Sequence, residues 1–374
     1  MELLKIARLK KLHRWAGLAL FVILIMQCLT GSLLLFEDEL EPIFLGVEPA
    51  VSAEGSPPQL ELEELAHAAG DPGAHQVTRI YPPVSPNSPA RVRVRNRHDP
   101  DNEIERFVDP SSGQVLGERP HREIGLARAS LIPTVKELHT KLLAGDTGKI
   151  ILGLVATLWL FSGALGIVLC LPRGRSGSKW PRGWRITRPR SSYQLHRGGG
   201  LWLSSAAIVF SASAIVLVFE DWFFVEPAVA PATQTGNPIG FDAAAIAARS
   251  YLPSAGRHYR LESIRIESDK SRYRVDFRHD PENGIWHRPE EQIYLAAYDG
   301  GLMGRKGWLA ARGVNHVKNL ALPLHTGAVL GAPGRIAALI AAVLLVVQIG
   351  AGIWLWSRRR ARQTRHRRNL RRAT

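Results

Sequence analysis

The sequence predicts a membrane all-α four-helix bundle that carries two outer α+β modules and is built as a two-fold internal parallel repeat. Three observations predict this fold. Four apolar segments have the length of transmembrane helices, an excess of positive charge is confined to three short segments, and the same short motifs recur in both halves of the 374-residue chain. Together they exclude an ordinary soluble globular protein, in which apolar residues would be spread along the chain.

Each of the four apolar segments contains about 20 residues, enough at ~1.5 Å per residue to cross a hydrocarbon core of ~30 Å. Basic residues precede the first segment, as they do in a signal peptide. However, its apolar run passes directly into three acidic residues at 37–39 with no small-residue cleavage site, so we interpret it as a retained helix. The segments are residues 15–36, 150–171, 201–219 and 336–356.

The distribution of Lys and Arg predicts the orientation. Three short segments, 1–14, 172–197 and 357–374, hold 22 of the 48 basic residues and only one of the 33 acidic residues. The positive-inside rule places them in the cytoplasm, and this role accounts for the arginine-rich tail without nucleic-acid binding. The predicted division is 1–36 (N-terminus and first span), 37–148 (first outer module), 149–171 (second span), 172–198 (basic loop), 199–219 (third span), 220–334 (second outer module), 335–356 (fourth span) and 357–374 (basic tail).

Two anchored stretches reveal the repeat. Leu12-His13-Arg14 matches Leu195-His196-Arg197, and a Phe-Glu-Asp string begins 23 residues after each of these histidines. Leu138-His139-Thr140 matches Leu324-His325-Thr326, and nine residues after each histidine comes Gly-Lys or Gly-Arg. Because each half contains two spans, both halves enter and leave the membrane on the same side, which predicts parallel repeats about an axis along the membrane normal.

Each outer loop has the pattern of a small α+β module. A helical pattern at 60–69, and again at 241–251, precedes short alternating segments that are typical of strands. We therefore expect one helix and an antiparallel sheet of three or four strands in each module. The predicted strands are 77–81, 91–95 and 105–108 in the first half, and 261–267, 273–277 and 292–298 in the second.

Of the thirteen histidines, only four lie both at membrane borders and in repeated positions. His13 and His196 fall at the cytoplasmic ends of spans 1 and 3, and His139 and His325 at the outer ends of spans 2 and 4. A symmetric histidine pair across a helical bundle favours haem iron with two axial imidazoles, and hence two haem b groups. The alternatives are a non-haem metal, for which zinc would want further ligands, and a structural or proton-handling role.

Basic residues beside the four histidines are candidate partners for haem propionates. Arg14 and Arg197 directly follow the inner histidines, whereas Lys149 and Arg335 follow the outer ones by ten residues. His316, nine residues before His325, is an alternative ligand without a counterpart in the first half. Polar residues inside the spans, among them Thr30, Ser162, Ser213 and Gln348, are interpreted as residues that pack helices or bond to backbone, with donation to a cofactor by some of them as the alternative. The two cysteines are too few for an iron–sulfur cluster.

Several motifs carry a family resemblance: Leu12-His13-Arg14-Trp15, Leu138-His139-Thr140, Leu195-His196-Arg197, Leu324-His325-Thr326-Gly327 and the late Trp354-Leu355-Trp356. Over nearly the whole chain the sequence resembles the PepSY-associated transmembrane family of bacteria. The resemblance implies an inner-membrane protein with periplasmic PepSY-like modules, often linked to iron uptake. It is similar to members that use haem to reduce periplasmic ferric siderophores.

On that resemblance, electrons would enter at the haem of His13 and His196, pass to the haem of His139 and His325, and reduce ferric iron outside. No GxGxxG motif opens a βαβ unit, so a separate donor, quinol or a reductase, would be required. The competing interpretation is a membrane scaffold whose modules bind a peptide or peptidase. A transporter is disfavoured, because the spans lack charged groups and broken helices.

Overall fold

The computed structural model describes residues 2–46, 60–84, 88–99, 102–121, 123–170, 192–224, 229, 236–253, 259–279 and 290–373. Most of the predicted basic loop, residues 171–191, lies outside this part. Four helices are long and apolar enough to cross a membrane, which agrees with the four predicted spans and makes the chain a multi-pass membrane protein. They are Ile6–Leu34, Gly145–Cys170, Leu195–Phe223 and Ala328–Arg372.

The described elements follow in chain order as α1 Glu2–Leu34, α2 Glu37–Leu45, α3 Leu62–Ala69, β1 His75–Tyr81, β2 Ala90–Asn96, β3 Glu103–Val108, β4 Val115–Pro120, α4 Leu131–Lys141, α5 Gly145–Cys170, α6 Ser192–Gln194, α7 Gly200–Phe223, α8 Phe241–Ser250, β5 Tyr259–Glu267, β6 Arg272–His279, β7 Glu291–Ala296, β8 Leu302–Gly307, α9 Asn315–Thr326 and α10 Gly331–Ala373. One turn of π-helix, Leu195–Gly199, joins α6 to α7. The bundle consists of α1, α5, α7 and α10.

Small residues let the bundle helices approach closely, as is common between membrane helices. Gly153 of α5 lies against Phe219 of α7, and a Cβ atom at this glycine would meet the Phe219 ring at 2.5 Å. Leu24, Val155 and Leu345 are among the side chains buried between the helices. The bundle therefore has a packed interior, and most of its large exposed side chains are apolar.

The two predicted modules form one continuous sheet. All eight strands are antiparallel, in the order β4-β3-β2-β1-β5-β6-β7-β8. The halves join where β1 pairs with β5, with Ile80 opposite Ile264. Each module alone would leave β1 or β5 as an unpaired edge, and joining the edges satisfies their free backbone groups. We call this junction the seam.

Helices α3 and α8 reinforce the seam by capping each other. The carboxylate of Asp242 in α8 accepts hydrogen bonds from the backbone N–H groups of Leu62 and Glu63 at 2.9 Å. The Glu63 carboxylate in turn accepts one from the backbone N–H of Phe241 at 2.8 Å. Free N–H groups at helix N-termini favour such acidic acceptors. Both helices cover one face of the sheet, where Ile80, Val92 and other apolar side chains form the core.

The other face of the sheet is rich in arginine and is turned toward the bundle. On β2, Val92 and Val94 belong to the core, and the alternating residues Arg91, Arg93 and Arg95 lie on the opposite face. Arg91 forms an ion pair with Glu41 of α2 at 2.9 Å, which connects this face of the sheet to the short helix that follows α1. The strand period of two thus places apolar residues under α3 and α8 and charged residues above the membrane helices.

His139 and His325 lie on separate short helices just before the membrane helices, whereas the sequence analysis expected them at the ends of spans 2 and 4. His139 is on α4, which is followed by Leu142 and Leu143 with φ of 54° and 56°. His325 is on α9, which ends at Gly327 with φ of 75°. This left-handed backbone terminates each short helix before the membrane helix begins. The reversal lets α4 pack against α1, and α9 against α7.

Candidate functional site

The structure brings the four histidines of the repeated motifs together as two pairs. The ring centres of His13 and His196 are 6.2 Å apart, and those of His139 and His325 are also 6.2 Å apart. We call the first the far pair, because it lies away from the sheet, and the second the sheet-side pair. His139 contacts Thr30, which is 17 residues beyond His13 on α1. At ~1.5 Å per residue the two pairs lie about 25 Å apart along the bundle.

In the far pair, main-chain carbonyls orient both rings. His13 Nδ1 lies 3.0 Å from the carbonyl oxygen of Ser162 in α5, and His196 Nδ1 lies 3.2 Å from that of Gln348 in α10. The side chains of the same two residues also contact these nitrogens, with Ser162 Oγ 3.2 Å from His13 Nδ1 and the Gln348 amide nitrogen 3.1 Å from His196 Nδ1. The carbonyls can only accept, so they favour a proton on each Nδ1 and a lone pair on each Nε2. The Gln348 side-chain amide also donates to the carbonyl of His196 at 2.6 Å, which anchors the π-turn.

In the sheet-side pair, hydroxyl groups take the place of those carbonyls. His139 Nδ1 lies 2.9 Å from Thr30 Oγ1, and His325 Nδ1 lies 3.0 Å from Ser213 Oγ. Each hydroxyl donates its only proton to a carbonyl of its own helix, that of Met26 at 2.8 Å or Val209 at 2.6 Å. The hydroxyl oxygens therefore accept from Nδ1–H, and again both Nε2 atoms keep their lone pairs.

The sequence analysis missed the role of these four partners and interpreted them as helix-packing residues. Their spacing carried a usable signal. Thr30 and Ser213 each lie 17 residues after the first histidine of their half, and Ser162 and Gln348 each lie 23 residues after the second. Polar residues repeated at fixed offsets from candidate ligands are what hydrogen bonding to the second ring nitrogen requires.

The geometry of both pairs fits two axial ligands on one metal. A metal–imidazole bond is about 2.0 Å long and the ring centre lies about 1.1 Å behind the nitrogen, so a linear unit separates the ring centres by about 6.2 Å. The ring hydrogen bonds described above all involve Nδ1, the nitrogen that leaves Nε2 free to bind a metal. The described residues contain no group of three or more His, Cys, Asp or Glu that could hold a metal alone. Two imidazoles per site suit a metal whose other ligands come from a macrocycle.

A cavity of about 1030 Å³ connects the sheet-side pair with the arginine-rich face of the sheet. His139, His325 and Gly31 line it on the bundle side, and Arg79 and Tyr81 line it on the sheet side. Its ionisable lining contains eight basic residues and five carboxylates: Arg79, Arg91, Lys136, Lys141, Lys149, Arg260, Arg278 and Arg335, with Glu37, Asp38, Glu41, Glu262 and Glu290. The excess of basic side chains favours anionic occupants.

Two carboxyl groups show how this face is balanced electrostatically. Burial, together with the nearby charges of Glu262 and Asp276, raises the pKa of Glu290 to about 7. Burial alone would also raise the pKa of Glu105. There, however, a hydrogen bond from His121 and the charges of surrounding arginines outweigh burial and hold the pKa well below its usual range. The cavity wall thus contains one carboxyl group, Glu290, that titrates near neutral pH.

The four basic residues that the sequence analysis assigned to propionates have different surroundings. Lys149 and Arg335 line the cavity beside the sheet-side pair, where Lys149 lies 3.6 Å from Asp221, and Arg335 lies 2.9 Å from Glu39. Arg14 is exposed beside Trp15, and the carbonyl of Arg197 accepts a hydrogen bond from the Cys170 thiol. Only Lys149 and Arg335 therefore share a described cavity with the histidines.

His316 does not join either pair. It lies nine residues before His325 on α9, or about 13 Å along the helix, and its ring packs against Trp308 with centres 4.5 Å apart. Because His325 is the residue that faces His139, the structure assigns the second place in the sheet-side pair to His325.

A family model described as the PepSY-associated TM region matches residues 10–359, a range that contains all four paired histidines and their hydrogen-bond partners. No curated protein matches the chain.

Proposed function

The chain belongs to the PepSY-associated TM family, and from that premise we propose that it is a di-haem electron-transfer protein that reduces a ferric siderophore. The observation that carries the proposal is the geometry of the two histidine pairs. In each pair the ring centres are 6.2 Å apart, every Nδ1 is held by the protein, and every Nε2 is left available. Orienting Nδ1 in this way is the usual support for an imidazole ligand.

The proposal places the protein in the bacterial inner membrane with both termini in the cytoplasm. The concentration of Lys and Arg in three short segments supports this orientation. The sheet and the sheet-side pair then face the periplasm, and the far pair lies near the cytoplasm. A two-fold parallel repeat is supported by the equal offsets of the histidines and their partners in both halves.

Each histidine pair would hold the iron of one haem b. When bound, this group supplies reversible one-electron transfer. The chain itself contributes imidazoles in a single tautomer, kept in place by carbonyls in the far pair and by hydroxyls in the sheet-side pair. Lys149 and Arg335 would neutralise propionates on the periplasmic side, and Arg14 and Arg197 would do so on the cytoplasmic side.

The cavity between the sheet-side pair and the sheet is the proposed substrate chamber. It opens directly onto His139 and His325 and is lined by polar and charged side chains on the sheet side. One electron converts bound Fe³⁺ to Fe²⁺, which hard oxygen ligands hold less tightly, and the iron is released. The electron comes from a separate donor, either quinol or a cytoplasmic reductase.

The reduced-minus-oxidised absorption spectrum of the detergent-purified protein, with haem quantified per chain, tests the proposal. We expect sharp low-spin α-bands and about two b-type haems per chain, the number that two bis-histidine pairs imply. The dithionite-reduced protein should then be reoxidised by a ferric siderophore, with ferrous iron trapped by a coloured chelator. A colourless protein from haem-replete cells would overturn the proposal and favour a scaffold whose modules bind a peptide.

A further inference from the structure

Four arginines lie side by side across the middle of the sheet. The strand register places Arg93 of β2 opposite Arg79 of β1, Arg79 opposite Arg265 of β5, and Arg265 opposite Arg274 of β6. Directly opposed residues have Cβ atoms about 5 Å apart, and like charges at that distance destabilise a sheet. The row crosses the seam, so it exists only because the two halves share one sheet.

Carboxylates compensate this charge unevenly. Arg93 pairs with Glu105 at 2.9 Å. Arg79 and Arg274 share one carboxylate, that of Asp276, at 3.0 and 2.7 Å, and Asp276 is only 2% exposed. Arg265 has no ion pair or hydrogen bond with any described residue, and its buried Nε lacks a partner. Among the described residues, Asp276 is thus the one carboxylate in direct ion pairs with the three guanidinium groups at the seam, and it contacts only two of them.

The surroundings of Arg265 are unfavourable to its charge. Burial lowers the pKa of Arg265, and the neighbouring charges of Arg274 and Arg79 add to this lowering, whereas the carboxylates of Asp276 and Glu267 offset only part of it. An arginine nevertheless stays protonated at any physiological pH. A partly buried guanidinium without a counter-ion is costly, and an added anion would remove that cost.

We propose that the seam binds an oxyanion, a phosphate or carboxylate group, held by Arg265 together with Arg79 and Arg274. The planar fork of a guanidinium matches both kinds of group through paired hydrogen bonds. All three arginines lie on the bundle-facing side of the sheet, and Arg79 also lines the cavity, which supplies a route of access. The site does not depend on haem binding. Its ligand is either a soluble anion or the headgroup of an anionic lipid.

Thermal unfolding of the full-length protein in nanodiscs of zwitterionic lipid tests the site. Inorganic phosphate, compared with chloride at equal ionic strength, should raise the unfolding midpoint of the wild-type protein, since it binds only the folded state. Arg265→Gln should unfold at a higher temperature than wild type in the absence of phosphate, because like-charge repulsion is relieved. It should also lose the response to phosphate.

Two further variants make the test specific. Arg265→Lys keeps the charge but loses the fork, and we expect it to bind phosphate about tenfold more weakly. Arg95→Gln removes the same charge from the same sheet face, at a residue that has its own carboxylate in Glu103 at 2.7 Å. This control should respond to phosphate as wild type does. Failure of both inorganic phosphate and phosphatidylglycerol to stabilise wild type, or equal stabilisation of Arg265→Gln by the anion that is effective, would overturn the site.

A comparison of nanodiscs that contain an anionic lipid with inorganic phosphate identifies the source of the anion. If phosphatidylglycerol nanodiscs stabilise wild type but not Arg265→Gln in buffer free of phosphate, the ligand is a lipid headgroup. If only inorganic phosphate has this effect, the ligand is a soluble anion. Either pattern supports the site, and dependence on Arg265 is required in both.

Discussion

The two histidine pairs have the same spacing but are supported differently. The far pair is held by main-chain carbonyls of Ser162 and Gln348, whereas the sheet-side pair is held by the hydroxyls of Thr30 and Ser213. The far histidines lie at the start of the bundle, within α1 and the π-turn before α7. The sheet-side histidines lie on short helices outside the membrane helices and line the cavity.

This difference teaches how one repeated motif can be supported in two ways at the two ends of the bundle. A main-chain carbonyl is present whatever side chain its residue carries. Side-chain substitutions at Ser162 or Gln348 therefore leave these hydrogen-bond acceptors of the far pair in place. A hydroxyl can be lost by a single substitution, and the short helices that carry His139 and His325 bring them to the cavity. The far pair is thus supported by the backbone of the membrane helices, and the sheet-side pair is the one that lines the cavity proposed to hold substrate.

The largest expected effect comes from replacing one histidine of each pair, because each replacement should remove only one of the two haems. His139→Ala should remove the sheet-side haem, leave about one haem per chain, and abolish reduction of ferric siderophore. His13→Ala should instead remove the far haem and leave the sheet-side one. Haem content and low-temperature spectra of both variants measure this. Loss of both haems in each variant would show that the pairs are not independent, and unchanged haem content would refute the ligand assignment.

A smaller effect should come from the groups that hold Nδ1. Thr30→Val removes the acceptor of His139 Nδ1–H, so we expect the sheet-side haem to bind about 10- to 100-fold more weakly, as for other supporting partners of ligands. Ser162→Ala is the matched comparison, because it removes the Oγ that lies 3.2 Å from His13 Nδ1 but retains the carbonyl at 3.0 Å, so the far haem should bind with little change. Haem transfer to a scavenging protein measures both affinities. Equal weakening in the two variants would contradict the distinction between side-chain and main-chain support.

The smallest effect concerns glycines packed against the rings. A Cβ at Gly31 would approach His139 Cε1 to 2.9 Å, whereas one at Gly166 would lie at an ordinary 3.5 Å from His13 Cε1. Gly31→Ala should therefore cost about 1–3 kcal/mol of stability and shift the sheet-side α-band, and Gly166→Ala should be close to neutral. Unfolding midpoints and spectra provide the measurement, and a neutral Gly31→Ala would show that α4 shifts freely.

The far pair contains a glycine that corresponds to Gly31, because Gly352 packs against the His196 ring. A Cβ at Gly352 would approach His196 Cε1 to 3.0 Å. Gly352→Ala should thus resemble Gly31→Ala in cost but alter the far α-band. If it altered the sheet-side band instead, the assignment of bands to pairs would be reversed.

The sequence by itself determined the four spans, the strand and helix pattern of the two outer segments, and the four histidines that form pairs. Apolar length predicts a membrane helix because every backbone group must bond internally in lipid. Identical offsets in the two halves predicted which histidines would meet, since equivalent residues of a two-fold repeat lie across its axis. The same offsets could have identified Thr30, Ser213, Ser162 and Gln348, because those residues repeat as regularly as the ligands.

The tertiary structure alone decided three features. The separate helices that carry His139 and His325 depend on left-handed backbone at Leu142 and Gly327. Leucine rarely adopts this conformation, so the sequence does not predict it at residue 142. The seam depends on two strands about 180 residues apart, whose pairing follows from how the halves sit together and not from either strand. The row that includes Arg79 and Arg265 follows from that seam, because only pairing register decides which charges stand opposite each other.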